Sequence, residues 1–225
     1  MSYSWLLFDA DDTLFDYPLA EGKALRSTFE HFGQIYRTEY LRIYQVFNRQ
    51  VWGEFERGET TSKELRLKRF RLLFDEIGVT LDPQDFSQRY LEALAQASDL
   101  FPGAAELLQA LTGRYHLALV TNGLKEVQRP RLERSAIRPF IEKTFISEEI
   151  GIAKPAAGFF EAVLREIGNP PKNQVLIIGD SLTSDMQGGI NYGIDTCWFN
   201  PGGKSSELPV TYTIKTLGQL LDILQ

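Results

Sequence analysis

Four apolar residues, Trp5-Leu6-Leu7-Phe8, run straight into Asp9-Ala10-Asp11-Asp12-Thr13. A short apolar run stopped by polar turn residues predicts a strand covered on both faces, as in a parallel sheet. Beyond residue 17 the period changes. Leu25, Phe29 and Phe32, and then Leu41, Tyr44, Phe47, Val51 and Phe55, recur at helical spacing. Thr61-Ser62-Lys63-Glu64 predicts a capping box for a third helix, with Phe70, Leu73 and Ile77 on its inner face and Gly78 as its stop. Asp82-Pro83 supplies a cap and a first-turn proline for a fourth, which carries Phe86, Tyr90 and Leu94 along one side. No strand pattern interrupts this stretch, so it is expected to pack as a small helical bundle inserted after the first strand.

From Phe101 onward helical and strand patterns alternate, which predicts an α/β fold built on a doubly wound parallel sheet. Helices are expected over 102–111 and 155–167, from Ser184-Asp185 to Gly193, and over 217–224. Strands are expected over 117–120, 144–146 and 175–178, with 196–199 and 212–214 as edge strands. Pro130 falls inside the segment 124–135, and an interior proline costs a helix about 3 kcal/mol. A late start or a kink is therefore expected there. Two domains follow from these patterns: an α/β core over 1–16 and 99–225, and a helical domain over 17–98.

Composition narrows the function. The chain has 225 residues, 43% of them hydrophobic and 24% charged, as in an ordinary soluble globular protein. A net charge of −6 argues against a nucleic-acid-binding surface, which needs clustered Lys and Arg. The single cysteine, Cys197, has no partner for an internal disulfide and reads as a small buried hydrophobe. No apolar stretch approaches the roughly 20 residues that span a bilayer, so no membrane association and a cytoplasmic location are expected.

Several tempting patterns fail on spacing. Gly202-Gly203-Lys204-Ser205 resembles the end of a phosphate-binding loop, but Trp198 stands where its first glycine is required. Gly188-Gly189 with Gly193 misses a dinucleotide fingerprint, because position 190 is Ile. His31 and His116 have no metal-ligand spacing to any neighbour, and Glu148-Glu149 reads as a solvated loop.

Parallel sheets bind ligands at the carboxyl ends of their strands, the end where Asp9 and Asp11 emerge. Taken alone, Asp9 to Asp12 is equally a solvated turn. Complementary groups then recur at later strand ends. Asp9-Ala10-Asp11-Asp12-Thr13, Thr121, Lys154 and Gly179-Asp180-Ser181-Leu182-Thr183-Ser184-Asp185 resemble, in order, the four motifs of the haloacid dehalogenase-like hydrolases. That family consists mostly of magnesium-dependent phosphatases.

The resemblance spans essentially the whole chain and implies a role for each motif residue. Asp9 is the nucleophile that forms an aspartyl-phosphate, and Asp11 is the general acid and base. Mg2+ is held by Asp9, the Asp11 carbonyl and Asp180, with Asp185 orienting the ligands from behind or serving only as a helix-start acid. Thr121, with the amides of Asn122 and Gly123, and Lys154 bind the phosphoryl oxygens. Physics explains the grouping. A carboxylate approaching a phosphate dianion meets repulsion of about 4 kcal/mol per charge pair at 4 Å and an effective dielectric of 20, which cations must offset.

An acid at position 11 favours a phosphate ester, since relatives that cleave carbon–halogen bonds generally lack it. Gly58-Glu59-Thr60-Thr61-Ser62, Ser147-Glu148-Glu149-Ile150-Gly151-Ile152-Ala153-Lys154-Pro155 and Gly188-Gly189-Ile190-Asn191-Tyr192-Gly193 are similar to a bacterial branch acting on pyrimidine nucleoside 5′-monophosphates. In that reading the bundle is the family's helical cap, and aromatics such as Trp52 and Phe55 either line a base pocket or fill the bundle core. The expected partner is a small phosphate ester rather than a nucleic acid or a membrane. A sugar-phosphate or phosphoglycolate phosphatase, a haloacid dehalogenase and a non-catalytic phospho-ligand binder are the alternatives.

Overall fold

The computed structural model describes residues 3–224; residues 1, 2 and 225 lie outside the described residues. Strand β1 (Trp5–Phe8) is followed by helices α1 (Tyr17–His31), α2 (Thr38–Glu56), α3 (Ser62–Ile77) and α4 (Pro83–Gln96). Then come α5 (Ala104–Leu111), β2 (His116–Thr121), α6 (Lys125–Arg134), β3 (Lys143–Ile146), α7 (Ser147–Ile150) and α8 (Ala157–Glu166). The chain ends with β4 (Val175–Gly179), α9 (Gln187–Tyr192), β5 (Asp195–Phe199), β6 (Tyr212–Ile214) and α10 (Leu220–Ile223). No helix among the described residues is long and apolar enough to cross a membrane.

Two compact units result. One is helical, Pro18–Ala97 together with Glu126–Arg131 from the middle of α6; the other holds the sheet. Within the sheet unit, the segments on either side of the insertion meet. Phe15 and Leu100 form an antiparallel bridge, Asp16 N–H donates to Asp99 O at 3.0 Å, and Phe101 N–H donates to Leu14 O at 2.9 Å.

The helices end where local chemistry dictates. Thr61 Oγ1 accepts from Glu64 N–H at 3.2 Å, Asp82 Oδ1 accepts from Gln84 and Asp85, and Gly78 closes α3 in the left-handed region at φ 67°. Their inner faces carry an aromatic core in which Phe86 meets Phe29, Phe70 and Phe74 with ring centroids 5.0, 5.1 and 5.0 Å apart. Trp52 and Phe55 are only half-buried and pack edge to face on each other at 5.7 Å.

The sheet is parallel throughout, in the order β3-β2-β1-β4-β5-β6. Its apolar strands are uninterrupted because both faces are covered. Leu6, Phe8, Leu119, Ile178 and Phe199 face a core shared with α5 and α10, while Leu7, Val120 and Ile177 face Phe159, Phe160 and Val163 of α8. Gly188 and Gly189 serve packing: a Cβ at Gly188 would come within 2.7 Å of the Phe160 ring, and one at Gly189 within 2.6 Å of Thr196.

Five elements depart from the sequence pattern. The strand at 195–199 is interior, flanked by β4 and β6, and only β6 is an edge on that side. The helix at 155–167 opens at Ala157, since the chain turns at Pro155, whose peptide bond with Lys154 is cis. Between β4 and α9 lies a π-helical turn, Leu182–Met186, capped by Ser181 rather than Ser184. Glu148 belongs to the short α7, and its Oε2 accepts from Lys125 N–H at 3.1 Å, satisfying one of the free amides at the start of α6. That helix begins at Lys125 and runs through Pro130, neither late nor broken into two elements.

Candidate active site

The order of the strands reverses beside β1, whose neighbours are β2 on one side and β4 on the other. Such a reversal opens a crevice outside the carboxyl ends of the strands. Asp9 N–H continues the ladder by donating to Ile178 O at 2.9 Å, which seats Asp9 at the crevice. The turn that follows is tight. Leu14 and Phe15 N–H both donate to Ala10 O, and Asp12 takes φ 60°, a left-handed conformation that Asp tolerates.

Lys154 is the hub of the site. Its side chain is 1% exposed, and Nζ donates to Asp9 Oδ1 at 2.6 Å, Asp185 Oδ1 at 2.6 Å and Val120 O at 2.9 Å. All three ammonium donors are thereby used. Asn122 fixes the lysine backbone from both ends: its Oδ1 accepts from Lys154 N–H at 2.9 Å and its Nδ2 donates to Lys154 O at 2.8 Å. Burial alone would pull the ammonium down, but Asp185 and Asp9 outweigh it and hold Lys154 above the ordinary lysine value.

Asp185 is completely buried, and its second oxygen accepts from Ser181 N–H at 3.2 Å. It reaches the lysine because Gly179 has no side chain; a Cβ there would overlap the Asp185 carboxylate and lie 2.8 Å from its Cβ. Gly179→Ala is therefore expected to force Asp185 off Lys154 and to destabilise the sheet unit by about 1–3 kcal/mol. Urea denaturation reads this directly, and wild-type stability in the variant would contradict it.

Asp9, Asp180 and Asp185 each offer a carboxylate oxygen, and these atoms lie within 4.8 Å of one another. Three carboxylates facing one ammonium leave two negative charges, which a divalent cation would cancel. An all-oxygen, carboxylate donor set suits hard ions such as magnesium rather than zinc or copper. The residues present thus fit the group. Burial pushes the Asp9 carboxyl up to about 8 against the pull of Lys154, with Asp185 and Asp11 adding to the rise. Burial and the charges of Asp9 and Asp185 raise Asp180 as well. A cation in their midst would relieve that repulsion.

Of the residues singled out in the sequence, Asp9, Lys154, Asp180 and Asp185 form one cluster. Asp11 is half-buried in the turn two residues beyond Asp9, near enough for its charge to raise Asp9. Thr121 is buried at the end of β2, where its Oγ1 accepts from Gly123 N–H at 2.9 Å. This turn takes up the Gly123 donor expected for a phosphoryl oxygen.

Two contacts were not readable in advance. Thr13 Oγ1 accepts from Asp180 N–H at 3.1 Å and approaches Asp9 Oδ2 at 3.5 Å, joining the ends of β1 and β4. The Asn122 side chain positions Lys154, where only its main-chain amide had been assigned a role. Both depend on pairings between segments distant in sequence, which no local spacing reveals.

Comparison with known proteins agrees with this geometry. The family model described as haloacid dehalogenase-like hydrolase matches residues 6–199. The chain is 34% identical over 226 residues to pyrimidine 5′-nucleotidase YjjG of Escherichia coli, covering 100% of this chain and 99% of that protein. It is 38% identical over 227 residues to pyrimidine 5′-nucleotidase PynA of Streptococcus pneumoniae, covering 100% and 96% respectively. The crystal structure of the putative hydrolase YfnB of Bacillus subtilis, bound to magnesium, superposes with a TM-score of 0.95 at 37% identity, covering both chains fully.

Proposed function

Since the chain belongs to the haloacid dehalogenase-like hydrolases, we propose that it hydrolyses a nucleoside 5′-monophosphate, a pyrimidine nucleotide above others, through a phosphoryl-aspartate at Asp9. The observation that carries the proposal is the buried Lys154 bridging Asp9 and Asp185 at 2.6 Å each, with Asp180 in the same cluster. The nucleotide substrate is supported by two full-length relatives at 34% and 38% identity, both pyrimidine 5′-nucleotidases.

Lys154 occupies Asp9 Oδ1, which leaves Oδ2, met by Thr13 at a long 3.5 Å, as the attacking oxygen. That oxygen bonds to phosphorus as the ester oxygen departs, and Asp11 gives its proton to the leaving alkoxide. Asp11 then takes a proton from a water molecule as that water attacks phosphorus, releasing inorganic phosphate and restoring Asp9. Thr121 donates its hydroxyl to a phosphoryl oxygen, and Lys154, its three donors engaged, holds Asp9 in place and offsets the incoming negative charge. Mg2+, held by Asp9, Asp180 and the Asp11 carbonyl with Asp185 behind them, would supply positive charge to draw the phosphate dianion in.

Phosphate release across a panel of nucleoside monophosphates and sugar phosphates tests the reading. Nucleotides are expected to exceed sugar phosphates at least about tenfold in kcat/KM, and EDTA is expected to abolish turnover. Equal turnover of sugar phosphates would replace the nucleotidase reading with a broad phosphatase. Chloride release from a 2-haloacid without phosphate release would replace it with a dehalogenase.

A further inference from the structure

Asp180 sits one residue beyond the end of β4, where the sheet ladder stops. A main-chain amide and carbonyl leaving a ladder normally turn to water, and a strand end is correspondingly loose. Here both are taken by side chains from the flanking segments. On the β1 side, Thr13 Oγ1 accepts from Asp180 N–H at 3.1 Å. On the β5 side, Trp198 Nε1 donates to Asp180 O at 2.9 Å. Trp198 is 5% exposed and pairs in register with Gly179, so its indole is held directly beside the carbonyl it meets.

We propose that Trp198 is a positioning residue for the divalent ion: it locks the main chain of Asp180 so that this carboxylate already points at Asp9 and Asp185. The inference rests on the reading of the three carboxylates as a metal site. With N–H and C=O both fixed, the direction of the Asp180 Cα–Cβ bond is fixed too, and ion binding has only the side-chain torsions left to order. Without the indole donor, the Asp180 carbonyl faces the apolar surroundings of β5 with its hydrogen bond lost, and the peptide is free to rotate. A tryptophan retained only as core filling would be replaced by phenylalanine without consequence for the ion.

Trp198→Phe keeps most of the ring and removes the donor. By calorimetry its Kd for Mg2+ is expected to rise about tenfold, the size typical of losing a group that orients a metal ligand. The Mg2+ concentration for half-maximal phosphate release should rise by the same factor, with kcat at saturating Mg2+ nearly unchanged. Phe199→Leu, on the same strand and packed on Phe101 at 5.7 Å, should bind Mg2+ as the wild type does. A wild-type Kd in Trp198→Phe overturns the proposal, as does equal weakening in both variants.

Should Trp198→Phe fail to fold, benzothienylalanine incorporated at position 198 keeps the bicyclic ring and removes only the N–H; the same rise in Kd for Mg2+ is expected, and a wild-type Kd would overturn the proposal. The metal reading is judged separately, by the wild-type titration. If the wild type takes up no Mg2+, both ideas fall; if it does and Trp198→Phe matches it, only the role of Trp198 falls.

Discussion

Asp9→Asn is expected to lower kcat by at least about ten-thousandfold while the protein stays folded. Removing a nucleophile has effects of this size because the groups around it act as a unit. Stability should survive for a specific reason. Burial opposes the charge on Asp9 strongly enough to raise its carboxyl to about 8 despite the adjacent ammonium, so a neutral isostere escapes much of that desolvation. Lys154 keeps Asp185 Oδ1 at 2.6 Å and Val120 O at 2.9 Å as acceptors. Steady-state phosphate release and trapping of the phosphoryl-enzyme check the expectation. A variant within tenfold of wild type, or one that still forms a covalent phosphoryl-enzyme, would remove Asp9 from the role given to it.

Lys154→Met should cost both activity and stability. Deleting one partner of a buried ionic cluster leaves the others uncompensated, at about 3–5 kcal/mol, and here two carboxylates are left facing one another. The deficit should depend on pH in a definite direction. Asp9 already titrates well above its usual value near 3.8, and without the ammonium it rises further. A group whose folded value exceeds its unfolded one contributes stability that is complete below the unfolded value and lost as pH rises through the folded one. Below about pH 8 both folded proteins keep Asp9 neutral and lose stability in parallel, so the variant's deficit should be level there and widen only as pH rises above about 8, where the wild type stops losing stability and the variant does not. Urea denaturation in EDTA at about pH 6 and about pH 9.5 measures this. A deficit that does not change with pH would mean that the carboxylates are not the cause.

The fold was legible in sequence wherever a local rule determined the outcome. Thr61, Gly78 and Asp82 bound their helices because capping involves only neighbours in the chain. The strands at 117–120 and 175–178 were readable as apolar runs because the sheet is covered on both faces. Edge or interior status was not readable, since β5 carries the same kind of pattern either way and only the docking of β6 decides it.

The site divides along the same line. The motif residues Asp9, Lys154, Asp180 and Asp185 stood out through their resemblance, in order along the chain, to the motifs of the family. That Asp185 meets Lys154 directly depends on the π-helical turn before α9 and on the missing Cβ of Gly179, a coincidence of register and shape. The indole of Trp198 was hidden for the same reason. As a residue in an apolar strand it reads as filling, and its donor matters only because of the chain segment that happens to lie alongside.

The placing of β1 in the middle of the sheet has a consequence for how the protein is made. Its ladder partners begin at His116 on one side and Val175 on the other, with α1 to α5 synthesised before the nearer of them. A ribosome adding about 5–20 residues per second therefore delivers α1 to α5 before β1 can form its first ladder. Until then Leu6, Leu7 and Phe8 wait as an apolar segment with both edges open. No part of that sheet can precede the emergence of β2.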